Sequence, residues 1–165
     1  MRPKISFILF SLFTLTLISF SSSAASYLDQ VSRIISESEA PEGVVFEIVT
    51  GEPEGLRWAL PEAKKEIERL RAKFPDLDIA VVTHGREQFA LQKKHKQRYR
   101  KVHSLTESLV KDSGVSLHVC GTYAEWHNVA ADEFAEYADV AAAGPAQIND
   151  YVKLGYIKIL IERDD

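Results

Sequence analysis

Val44-Val45-Phe46-Glu47-Ile48-Val49, closed by Thr50-Gly51-Glu52-Pro53, carries the reading of the fold. The run is short, rich in β-branched residues and mostly apolar. A strand wetted on one side alternates apolar and polar residues. A run without that alternation belongs to a strand buried on both faces, as in parallel sheets. The same signature returns in Leu77-Asp78-Ile79-Ala80-Val81-Val82-Thr83, ahead of His84-Gly85. Further strands are read in Val115-Ser116-Leu117-His118-Val119-Cys120, ahead of Gly121-Thr122, and in Tyr156-Ile157-Lys158-Ile159-Leu160-Ile161. Ala138-Asp139-Val140-Ala141-Ala142-Ala143 is a weaker fifth candidate.

Helical patterns fill the gaps. Leu28, Val31, Ile34 and Ile35 recur at helical spacing in a lead-in over residues 26–43, which Pro41-Glu42-Gly43 breaks. A helix is expected from about Glu54 to Lys73, with a kink or restart at Pro61. Further helices are expected from Ser104 to Asp112, as one or two short pieces over residues 122–137, and from Gly144-Pro145 to Gly155. The last has proline at its start and glycine at its end, the usual asymmetry. Strands alternating with helices predict an α/β fold over residues 44–165. It is a three-layer α/β/α arrangement with a mainly parallel sheet of about five strands and right-handed crossovers.

In a parallel sheet the carboxyl ends of the strands share one edge, and ligands and reacting groups gather there. That edge should carry Thr50-Gly51-Glu52, Thr83-His84-Gly85, Cys120-Gly121-Thr122 and Gly144-Pro145. The spacing does not say which strands are neighbours. Cys120 is the only cysteine, so the chain cannot form an internal disulfide. It is either an inert core residue or a working thiol, since free cysteine is among the most buried residue types. As a thiolate it would be a nucleophile, and His84, His118 or the start of a following helix would tune it.

Lys93, Lys94, Lys96, Arg98, Arg100 and Lys101 crowd into one stretch, with His95 and Tyr99 between them and His103 just after. Such a run reads as a solvated helix face, as a rim that attracts anions, or as a docking surface for an acidic partner. A metal site built from His84, His118, Cys120 and His127 has the ligand types but no paired spacing, so no metal and no other cofactor is expected. The run Gly51-Glu52-Pro53-Glu54-Gly55 lacks the lysine and hydroxyl of a phosphate loop. No sequence elbow supports serine hydrolase chemistry.

Arg2 and Lys4, an apolar stretch from Ile5 to Phe20, and Ser21-Ser22-Ser23-Ala24-Ala25 have the pattern of a signal peptide over residues 1–25. The alternative is an uncleaved anchor, although the apolar core falls short of the ~20 residues a spanning helix prefers. Cleavage would leave a soluble, exported chain of one domain, periplasmic or otherwise extracytoplasmic. The formal net charge of −4 becomes more negative once the two leader cations are gone. That balance argues against nucleic acid as a general partner. A lone thiol outside the cytoplasm needs protection from stray oxidation, by burial or by a partner.

The order Val81-Val82-Thr83-His84-Gly85, Val119-Cys120-Gly121-Thr122, Ala141-Ala142-Ala143-Gly144 and Leu154-Gly155-Tyr156-Ile157 resembles the DsrE/DsrF-like proteins, from about Val44 to Ile161. The resemblance implies a DsrEFH-like three-layer fold and homo-oligomers, often trimers or hexamers. It implies sulfur-relay chemistry, with sulfane sulfur held as a persulfide on Cys120 and His84 beside it. Two departures stand out. Relatives often read Cys-Gly-Asn where this chain has Cys120-Gly121-Thr122, and an apolar loop where it has the basic segment. The expected function is an extracytoplasmic sulfur carrier or sulfurtransferase-like protein, with a donor or acceptor protein or a small sulfur anion as partner. The Lys93–Lys101 segment would attract the donor or dock that partner. The alternative is a non-catalytic oligomeric module that binds a small ligand or a partner.

Overall fold

The computed structural model describes residues 26–163, so the expected leader lies outside the described residues. Five strands form one sheet: β1 (Gly43–Ile48), β2 (Ile79–Thr83), β3 (Ser116–Cys120), β4 (Asp139–Ala141) and β5 (Tyr156–Leu160). All pair in parallel, in the order β4-β3-β2-β1-β5. Residues of β1 and β2 are nearly all buried, which is why their sequences do not alternate.

Five α-helices accompany the sheet: α1 (Tyr27–Ser36), α2 (Leu56–Lys73), α3 (Arg100–Lys111), α4 (Gly121–Trp126) and α5 (Gly144–Lys153). The chain steps from β1 to β2, β3 and β4 in one direction and then returns beyond β1 to β5. Right-handed crossovers therefore place α2 and α3 on one face and α5 on the other. The two faces are unequal. Val44, Phe46, Ile48, Val81, Leu117 and Val119 face the large core beneath α1, α2 and α3. The opposite face holds Val45, Ala80, Val82 and Ile148, covered by α5 with Tyr151 and Tyr156. The fold is the expected α/β/α arrangement, with one helix in its third layer.

Some local details differ from the sequence reading. The lead-in is part of the domain core: Tyr27, Val31 and Ile34 of α1 are buried against α2 and β5. Ser26 caps it by accepting a hydrogen bond from the Asp29 N–H at 3.2 Å. Pro61 causes no restart, since α2 runs unbroken through it. The residue is exposed and near the start of the helix, so only one intrahelical bond is lost. α3 begins at Arg100 and takes in the end of the basic segment. Between β2 and α3 the chain forms two 3₁₀ turns, Arg86–Leu91 and Lys93–His95, that the apolar pattern did not show. Just past the end of α5, Gly155 has φ +94°, a backbone conformation that glycine adopts without strain.

Candidate functional site at the ends of β2 and β3

β2 and β3 are neighbours, and their register pairs Thr83 with Val119. One step further places His84 beside Cys120, both on the α5 face. Gly144, the first residue of α5, seals this corner. A Cβ on Gly144 would lie 2.5 Å from the His84 Cβ, 3.1 Å from its Cγ and 3.4 Å from the Cys120 Cβ. Only a residue without a side chain lets α5 approach this closely. The location has a topological reason. β3 exits into α4 on the thick face, whereas β4 exits into α5 on the thin one. Chains that leave neighbouring strands toward opposite faces open a crevice, the usual ligand position in open α/β sheets.

Each partner of the pair is held by polar neighbours. His84 Nε2 donates to Glu47 Oε1 at 2.8 Å, and Lys158 Nζ donates to Glu47 Oε2 at 3.0 Å. The hydrogen bond from His84, followed by that from Lys158, holds the Glu47 carboxyl below its ordinary value. A carboxylate at this position fixes the tautomer of a neutral His84, with the proton on Nε2 and Nδ1 as the acceptor. Cys120 is 4% exposed. Its Sγ accepts the backbone N–H of Tyr123 at 3.4 Å, as the cap of α4. The side-chain amide of Gln88 clamps its backbone: the Cys120 N–H donates to Oε1 at 2.7 Å, and Nε2 donates to the Cys120 carbonyl at 3.2 Å.

Gln88 and its neighbour Glu87 are wholly buried. Glu87 accepts from the Gly85 N–H at 2.8 Å, the Thr50 N–H at 2.8 Å and the Thr83 hydroxyl at 2.6 Å. It thereby ties the ends of β1 and β2 together. Sequence reasoning missed both residues, because buried polar side chains in a 3₁₀ turn carry no periodic signal. Their composition, Glu-Gln beside two glycine-bearing strand ends, was the available clue.

The remaining predicted residues lie elsewhere. His118 Nε2 hydrogen-bonds the Tyr151 hydroxyl at 2.8 Å, and burial pushes its pKa down. His127 packs against Phe89 and Tyr123, beside Trp126, which is 74% exposed. The four ligand types named for a metal thus have separate partners. Among the described residues no three His, Cys, Asp or Glu side chains gather to hold a metal ion. The basic segment divides. Lys93 donates to the Asp132 carbonyl at 2.8 Å and Lys94 pairs with Glu133 at 3.3 Å. Arg98 pairs with Glu54 at 2.7 Å, while Lys96, Arg100 and Lys101 stay exposed. Its bonded partners are on the thick face, and none of them is His84 or Cys120.

Among the described residues no helix is long and apolar enough to cross a membrane. No protein-family model matches the chain, and no curated protein is significantly similar to it. Its fold is similar to a solved structure described as a protein of unknown function, MTH1491 from Methanobacterium thermoautotrophicum. The TM-score is 0.56 at 20% identity, over 71% of this chain and 96% of that one. At that identity the likeness is one of fold: the chain shares a parallel α/β/α architecture with the archaeal protein.

Proposed function

We propose that the chain is a sulfur carrier in which Cys120 holds sulfane sulfur as a persulfide. The observation that carries this reading is the Cys120–His84–Glu47 arrangement at the carboxyl ends of β3, β2 and β1. Glu47 orients the His84 ring through Nε2, and Nδ1 takes the thiol proton, by the logic of a nucleophile, a base and an orienting group. The thiolate attacks the outer sulfur of a sulfane donor. With thiosulfate, one S–S bond forms on Cys120, the donor S–S bond breaks, and sulfite leaves with the electron pair. The persulfide then passes its outer sulfur to an acceptor thiolate and regenerates the Cys120 thiolate. The N–H of Tyr123 is placed to receive negative charge on sulfur. Burial of Cys120 shields the thiol from stray oxidation and favours small donors. The DsrE-like resemblance, homo-oligomer formation and an extracytoplasmic location belong to this same proposal.

One observation favours a second reading. Cys120 is buried and already spends its sulfur as a helix cap, as a structural cysteine would. Under that reading the chain is a non-catalytic binding module. Intact mass after incubation with thiosulfate or polysulfide separates the two. The carrier gains about 32 Da, one sulfur atom, and C120S does not. A parent protein that gains no Cys120-dependent mass refutes the carrier.

A further inference from the structure

α2 and α3 pack side by side, and both begin near the strand-end edge that carries Cys120, over the thick face. A groove of about 550 Å³ lies between their first turns. Leu56, Pro61, Val102 and Leu105 supply its apolar walls, and Arg57, Arg98, Arg100 and Lys101 its charged rim. Glu54 answers these cations: it accepts from Arg98 at 2.7 Å, from Arg57, and from the Tyr99 hydroxyl at 2.9 Å. These bonds, the one from Tyr99 first, hold its carboxyl below the ordinary value. One carboxylate against four cations leaves the rim strongly positive on a chain of formal net charge −4.

One feature of this rim works against folding and another suits binding. Helix N-termini carry partial positive charge and favour acids in the first turn. α2 and α3 have no acid there and no side-chain cap. They place Arg57, Arg100 and Lys101 at those ends instead, so each cation works against its own helix. The arginines are also pre-set. The Arg57 and Arg98 guanidinium groups lie 5.0 and 5.3 Å from the centre of the Tyr99 ring, and Arg57 donates to the Arg98 carbonyl at 3.3 Å. Groups held in place before binding lose less freedom when a ligand arrives.

We propose that this groove docks an acidic, amphipathic segment of a partner protein. Apolar side chains of the segment pack on Pro61 and Leu105, above the buried Leu56 and Val102, and its carboxylates meet Arg98, Arg100 and Lys101. Charge complementarity selects the occupant. A single-headed amphiphile would fill the apolar walls but use only part of the rim. Nucleic acid needs a longer basic track and gains nothing from apolar walls. The docking does not depend on Cys120 chemistry.

The test uses three fluorescein-labelled peptides of one helical repeat, built from leucine and glutamate, leucine and glutamine, or serine and glutamate. Fluorescence anisotropy should show binding of the leucine–glutamate peptide alone, weakened by salt. R100E/K101E should weaken it about tenfold or more, because two attractive pairs become repulsive. The same variant should melt no lower than the parent, since acids suit a helix N-terminus. If it does not fold, R100Q/K101Q takes its place with the same binding outcome expected. C120S should bind as the parent does, which separates this proposal from the persulfide reading. The proposal is overturned if the leucine–glutamate peptide does not bind, or if either control peptide or an oligonucleotide binds as well. Unchanged binding by the charge variant overturns it too.

Discussion

Replacing Gln88 with methionine isolates the clamp on Cys120. Methionine keeps the length and much of the volume of glutamine but has no amide. Gln88 is wholly buried, so the change removes two hydrogen bonds from an interior site. It also leaves the Cys120 N–H and carbonyl without those partners. A typical net bond contributes about 1 kcal/mol, and an orphaned buried polar group costs roughly 1–3 kcal/mol. The expected loss is about 2–5 kcal/mol, a large share of the ~5–15 kcal/mol that holds a domain together. Urea unfolding followed by circular dichroism measures it. For a slope near 2 kcal/mol/M, a loss of 3 kcal/mol moves the midpoint by about 1.5 M. Labelling of Cys120 by iodoacetamide should also accelerate, because the end of β3 opens locally more often. A midpoint within about 0.3 M of the parent, with unchanged labelling, would refute the clamp as the feature that fixes Cys120.

Two further outcomes concern the face of the sheet that α5 covers. Gly144→Ala drives a Cβ to 2.5 Å from that of His84, so α5 or β2 has to shift; overpacking of this kind costs about 1–3 kcal/mol, and calorimetry should show a melting temperature lower by roughly 3–10 °C, whereas an unchanged value would mean the contact is loose. His118 has a folded pKa pushed below its ordinary 6.5 by burial, with Asp139 opposing and Tyr151 bonded to it. The unfolded chain therefore binds more protons below that value, and stability present above pH 6.5 is lost as pH falls toward the folded pKa. In His118→Phe this part of the acid slope should vanish in denaturation curves taken from neutral to mildly acidic pH; a slope equal to the parent's would show that His118 is not its source.

Much of the chemistry here depends on residues whose roles are decided between elements. His103 is an example: its Nε2 hydrogen-bonds the Ala90 carbonyl at 2.9 Å and its Nδ1 the Tyr137 hydroxyl. Burial raises the Tyr137 pKa to about 12, so the phenol stays protonated as a donor. This histidine sits just past the basic stretch and reads there as part of a charged surface, yet it is a core residue. The polar groups of the 3₁₀ turn behave alike. Gln88 and Glu87 lie only a few residues past His84, but nothing local says that their side chains reach Cys120 and Thr50.

The sequence by itself determined the strands and their polarity. A run buried on both faces must be apolar at successive positions, and that constraint is written locally in Val44–Val49 and Ile79–Thr83. It also determined that His84 and Cys120 end their strands, because glycine follows each at once. Only the tertiary structure decided that the two ends are neighbours. Strand order depends on which crossover packs on which face, and that free energy is spread over the whole core. The return of α5 across the sheet places Gly144 against both residues, and the pairing of β1 with β2 brings Glu47 to His84. Strand order likewise kept the bonded partners of the basic segment on the thick face, because α3 must cover the sheet opposite α5.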